Sequence, residues 1–190
     1  MALLRKLNIG CGRNPMEGWV NLDGAWNDKA DYHYDLESGQ PTDFADDTFE
    51  EMWMSHVLEH INKPLPMMQE LWRIAKDGCL LVVDFPYGSS NDADEDPTHV
   101  RRIFENSFMY FGQPAYWRAD YGYRGDWDVE EVVLKLDEAH PLYSDPEAML
   151  KRLPYERNIV SYGHAKLYAR KPARPPKKEL MRRFKVSVLA

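Results

Sequence analysis

The sequence predicts a doubly wound α/β domain on a mostly parallel, seven-stranded sheet, with its first helix shortened or absent. Three observations predict it. An apolar run, Leu7-Asn8-Ile9, enters a glycine turn at Gly10-Cys11-Gly12. A second short strand, Val20-Asn21-Leu22, ends on an acid, Asp23. Cys79 to Phe85 is nearly all apolar, as a central parallel strand buried on both faces should be. Glycine permits a sharp turn and close approach of backbone to a ligand. In open α/β sheets the ligand sits at the carboxyl ends of the strands.

The elements follow in order. Residues 5–9 form the first strand, 19–23 the second and about 31–34 the third. Gln40 to Asp47 is a polar loop, and residues 51–55 form a fourth strand carrying Met52, Trp53 and Met54. Between residues 66 and 75, Met67, Met68, Leu71, Trp72 and Ala75 fall on one helical face. Asp77-Gly78 is expected to stop that helix. The polar stretch Gly88 to Pro97 is expected to be a mobile loop, and Phe104 to Phe111 a helix that buries Phe108 and Phe111. Val129 to Leu136 and Ile159 to Ala169 have strand composition. Residues 1–170 are read as one domain with an insertion at about 88–127. Pro172, Pro175 and Pro176 set off a basic tail at 171–190, expected to be a solvated helix.

Composition narrows the class. A chain of 190 residues suits one domain with a full core. No apolar run approaches a membrane span, and the N-terminus lacks a signal-peptide pattern. Two cysteines, Cys11 and Cys79, fit a reducing cytoplasm. The net charge of −7 is uneven: from Lys166 onward nine Lys or Arg face one Glu, so that segment carries +8 and residues 1–165 carry −15. An acidic body argues against wrapping bulk nucleic acid, whereas the basic tail suits contact with an anionic partner.

The blocks Leu7 to Gly12, Gly18 to Asp23, Tyr34-Asp35-Leu36, Phe44 to Phe49, Ser55 to Ile61 and Leu71 to Gly78 resemble, in order and spacing, the class I S-adenosylmethionine-dependent methyltransferases. The likeness is to small type 11 members and covers about residues 5–87. It implies a Rossmann-like methyltransferase fold whose last two strands form an antiparallel edge. It also implies S-adenosylmethionine as cofactor; the acceptor is expected to be a small molecule, a sugar or a nucleotide-like metabolite.

Each part of that cofactor asks for specific residues. The Gly10-Cys11-Gly12 backbone can approach the methionine part and the ribose, with Asn8 ordering the turn where the family commonly has an acid. Asp23 can accept both ribose hydroxyls, since a carboxylate has acceptors to spare. By resemblance, Asp35 accepts from the adenine amino group, Leu36 packs on its ring, and Ser55 and His56 line the pocket beneath the sulfonium. On the acceptor side, Asp84, Tyr87, His99 and Arg101 are the candidates, His99 as general base and Arg101 as clamp for an anionic acceptor. Only ten residues separate Gly12 from Asp23, too few for the family's first helix. That trim leaves open a catalytically inactive nucleoside-binding or interaction domain. His56-Val57-Leu58-Glu59-His60 also spells H-x-x-E-H, an inverted zinc-protease motif. Pro64 bars a long helix there and no third ligand stands out, so zinc hydrolysis is the lesser alternative and no metal ligands are assigned.

Overall fold

A computed structural model describes residues 5–24 and 28–189; the first four residues of the expected domain and the last of the expected tail lie outside them. Eight strands form one sheet: β1 (Lys6–Ile9), β2 (Val20–Asp23), β3 (Tyr32–His33), β4 (Phe49–Ser55), β5 (Ala75–Pro86), β6 (Trp127–Leu136), β7 (Val160–Ala169) and β8 (Lys185–Leu189). Their order is β3-β2-β1-β4-β5-β7-β6-β8. The pairs from β3 to β5 are parallel, β7 runs antiparallel to both β5 and β6, and β8 runs parallel to β6. This is the mostly parallel α/β fold expected. The β1 and β4 neighbours leave in opposite directions along the sheet, which opens a crevice at their carboxyl ends.

The strands obey their burial patterns. Leu7, Ile9, Leu22, Phe49, Met52, Met54, Leu81 and Val83 are almost wholly buried. β7 alternates along most of its length, with Ala165, Leu167 and Ala169 inward. Helix α1 (Pro64–Ile74) starts on Pro64, whose missing N–H is no loss at a first helical position. It buries Met67, Met68, Leu71 and Ile74, each worth about 1.5–3 kcal/mol of transfer free energy.

Four expectations change. Asp77-Gly78 does not end α1; the chain enters β5 at Ala75, and Gly78, at φ +77, lies where the β4–β5 register slips between Phe49 and Glu51. The backbone there needs a left-handed residue to bulge without leaving the sheet. The sheet has an eighth strand, because Lys185–Leu189 adds to β6 instead of forming a solvated helix. The 88–97 loop contains a helical turn, α2 (Asp92–Glu95), and buries Ser90 and Ala93. The segment Glu105–Phe111 is a 3-10 helix, which buries Phe108 and Phe111 as expected. A further α-helix, α3 (Pro146–Arg152), follows β6 in the chain and is capped by the Asp145 side chain.

The shortened first connection is filled by an asparagine network. Asn8 Nδ2 donates to Asn21 Oδ1 at 3.0 Å and to Asn14 O at 3.2 Å. Met16 N donates to Asn21 Oδ1 at 2.7 Å, while Asn21 Nδ2 reaches Met16 O and Asp31 Oδ2. A buried amide that satisfies several backbone groups holds a loop where a helix would otherwise do so.

Candidate active site

The glycine turn is built by two constraints. Gly10 has φ +67, and a Cβ there would overlap the Val57 side chain. Gly12 has φ +51 with open space in front of its Cα. The N–H groups of Gly10 and Cys11 both donate to Leu22 O, at 2.8 and 3.0 Å, and Gly12 N donates to Asp23 Oδ2 at 2.6 Å. The turn from β1 is therefore locked onto the end of β2. Asp23 is 7% exposed. Cys11 is buried beside it, and burial, with the Asp23 charge, raises its thiol pKa. Cys11 is thus an unreactive small side chain in the turn.

Asp35 and Leu36 follow β3. Asp35 is exposed and its Oδ1 accepts from Glu37 N at 2.9 Å, which makes an Asx turn; Leu36 is half-buried against the core. Glu37 accepts from both the backbone and the side chain of Asn62, so this loop is fastened to the segment after β4. Ser55 ends β4, exposed, opposite Asp84 of β5. His56 comes next at φ +53, with its N–H on Asp84 O at 3.0 Å. A histidine in that region stores about 1–3 kcal/mol of strain, and such residues cluster at functional sites. All nine expected cofactor-side residues thus lie along the carboxyl edge of β1 to β4.

The acceptor-side residues divide. Asp84 is fully engaged: Oδ1 contacts His164 Nδ1 at 2.6 Å and Oδ2 accepts from Trp53 Nε1 at 2.9 Å. Tyr87 is 4% exposed and donates to Glu105 Oε2 at 2.9 Å; burial first and then that carboxylate push its pKa far up. Arg101 donates from Nε to Ile61 O at 2.8 Å and from Nη2 to Asn62 O at 3.0 Å, and burial lowers its pKa. His99 packs edge-on to His60, with ring centroids 4.8 Å apart.

His56 itself is half-exposed, and its Nδ1 lies 3.2 Å from Oε1 of the completely buried Glu59. The interaction with Glu59 raises the His56 pKa against the opposing effect of burial. Beside His56 opens a groove of about 780 Å³, walled by Ser90, Asn91 and Asp92 and by His140, Arg157 and Tyr162. His140 and Arg157 were not singled out by sequence, and Glu59 was named there only as the acid of the H-x-x-E-H motif. His140 and Arg157 carry no motif and reach the groove only through the return of the chain before β7.

The arrangement fits S-adenosylmethionine. A backbone turn that excludes a Cβ adjoins a buried carboxylate at the end of β2, and an exposed acid and a half-buried leucine follow β3. Residues 16–83 match the family model described as a methyltransferase domain. The structure is similar to an S-adenosylmethionine-dependent methyltransferase from Archaeoglobus fulgidus at TM-score 0.54 and 14% identity, covering 86% of this chain and 85% of that one. A possible histamine N-methyltransferase from Thermotoga maritima gives 0.53 and 14%, covering 86% and 81%. The SpnF cyclase gives 0.55 and 13%, covering 87% and 75%. No curated protein matches the chain. Residues 16–83 thus carry the methyltransferase-domain match, and the chain as a whole has the fold of these methyltransferases. Among the described residues no helix is long and apolar enough to cross a membrane.

Proposed function

We propose that this protein transfers a methyl group from S-adenosylmethionine to a small-molecule acceptor seated in the groove beside His56. The observation that carries the reading is the position of that groove. Its size suits a small ligand, and it meets the carboxyl edge of the sheet at the strained residue after β4. The −15 charge on residues 1–165 disfavours a polyanionic acceptor. The tail's basic side chains also have partners within the chain. Arg174 pairs with Asp128 and Lys185 with Glu131, and Arg170, just before the tail, also pairs with Asp128.

When bound, the cofactor supplies a methyl group already activated on a sulfonium. The chain's task is then positioning and exclusion of water. In this reading Asp23 holds the ribose diol, Asp35 and Leu36 hold the adenine, and the Gly10 to Gly12 backbone leaves room for the rest. Asn8 keeps the turn in register through Asn21, and Ser55 borders the methyl. Asp84 and Tyr87 act through their backbone, Asp84 O accepting from His56 N and Tyr87 O from Ser90 N at the groove's edge, whereas Arg101 lines a separate pocket. His56 is the base: Glu59 faces Nδ1 and favours a proton there, which leaves Nε2 to take a proton from the acceptor.

The test is transfer of labelled methyl from S-adenosylmethionine into a fractionated metabolite extract. Label is expected in the small-molecule fraction, and His56→Ala should lower it by about 10²-fold or more with cofactor affinity intact. Label confined to nucleic acid or protein, or transfer indifferent to His56→Ala, contradicts the reading.

A further inference from the structure

We propose that Glu59, His60 and His99 form a binding site for a divalent transition-metal ion. Their ligand atoms all lie within 4.8 Å of one another, although His99 is distant in sequence. Residues 58–60 form one 3-10 turn and not an α-helix, so the H-x-x-E-H spacing does not pair His56 with His60 as it would on a helix. The turn instead brings Glu59 and His60 toward His99, while His56 faces Glu59 from its other neighbour position.

Hydrogen bonding fixes what these groups offer. Thr98 Oγ1 donates to Asp96 Oδ1 at 2.6 Å, which spends its only hydrogen. The same oxygen lies 3.0 Å from His60 Nδ1, so it accepts there, and His60 carries its proton on Nδ1. His99 Nδ1 lies 3.4 Å from Ala93 O, which can only accept, so His99 is protonated at Nδ1 as well. In the neutral rings both Nε2 atoms then present lone pairs. Glu59 is 0% exposed, and apart from His56 Nδ1 at 3.2 Å from Oε1 its carboxylate oxygens have no hydrogen-bond partner, which leaves Oε2 without one. Two imidazole lone pairs and a buried carboxylate whose Oε2 lacks a partner make a cluster of acceptors suited to a cation.

Two imidazoles and one carboxylate suit zinc, iron, cobalt or nickel better than the all-oxygen preference of magnesium or calcium. Thr98 on His60 and Ala93 O on His99 supply the outer contacts that orient metal-bound histidines. Asp96 Oδ2, 3.9 Å from His99 Nε2, is a further oxygen at the rim. Val100 N already donates to Glu59 O at 2.9 Å, so an ion here would fasten the end of the 88–99 loop to the turn after β4. That loop also walls the groove beside His56.

The test uses Co²⁺ as the probe on full-length protein stripped with chelator, read by visible absorption and by calorimetry. One equivalent of Co²⁺ is expected to bind with ligand-field bands and to be displaced by Zn²⁺. His60→Ala and His99→Ala should each abolish the bands. Thr98→Val, which leaves all three ligands, should weaken binding about 10–100-fold. S-adenosylmethionine affinity, measured on the same samples, reports folding and stands apart from the metal. Absence of one-equivalent binding to the unaltered protein, or binding that His60→Ala and His99→Ala leave unchanged in folded samples, overturns the site.

Discussion

The Gly12 N–H donates to Asp23 Oδ2 at 2.6 Å, so the glycine turn and the acid that ends β2 are one unit. The carboxylate proposed to meet a ribose also holds the backbone of the glycine turn. Changing either partner therefore alters both the shape of the pocket and its chemistry.

Gly10 carries two separable constraints, a left-handed φ and contact with Val57. Gly10→Ala is expected to destabilise the protein by about 2 kcal/mol from the backbone conformation alone, with the overlap added to it. In a Val57→Ala background the overlap part should vanish and the backbone part remain. Urea unfolding of the four proteins measures the coupling. Additive effects would show that Val57 does not enforce the glycine.

Glu70 of α1 accepts from Thr42 N and Thr42 Oγ1, both at 2.7 Å, and from Arg73 Nη2 at 2.7 Å, which ties the β3–β4 loop to the helix. Burial would raise its pKa, but the bonds from Arg73 and Thr42 outweigh it and the pKa is lowered. A carboxylate depressed in the folded state contributes stability above its unfolded pKa of about 4.3 and loses it as pH falls through the lower folded value. Glu70→Gln should cost about 2 kcal/mol at pH 7. The gap between variant and parent should close as unfolding is measured at progressively lower pH below about 4. A gap that is constant with pH would place the effect in packing.

Asp126 is 0% exposed and is held by Arg174 through Nε at 2.9 Å and Nη2 at 2.8 Å, with Gln113 N at 3.0 Å. Removing one member of a buried pair strands the other charge and costs about 3–5 kcal/mol. Arg174→Ala is expected to lower stability by that amount. Asp126→Asn with Arg174→Met should recover much of it. A neutral Arg174→Ala would mean that the C-terminal segment is dispensable to the fold.

The parallel half of the sheet was legible because its signals are local: alternating or continuous apolar runs, a glycine turn, an acid at a strand end. The far edge was not. β8 reads as a basic tail until β6 supplies Asp128 and Glu131 to pair with Arg174 and Lys185, which is a tertiary relation. Asp77-Gly78 carries the signature of a helix stop, yet pairing of Ala75 with Phe49 starts the strand earlier and turns the same residues into a bulge. At the site, the glycine turn and Asp23 could be read in place. The partners of Asp84, Tyr87 and Arg101 could not, since His164, Glu105 and Ile61 O reach them only through the fold. The missing first helix was visible as a short spacing. Its replacement by Asn8, Asn14 and Asn21 is a matter of side-chain geometry that no periodicity announces.

The central claim, that the Gly10 to Gly12 turn and Asp23 seat the cofactor, is tested most directly by calorimetric titration with S-adenosylmethionine of the unaltered protein and of Asp23→Ala, with folding checked by circular dichroism. Loss of two hydrogen bonds to a carboxylate predicts a drop of about 100-fold or more for a folded Asp23→Ala. Equal affinity in the two proteins, or no binding by the unaltered one, would contradict the account.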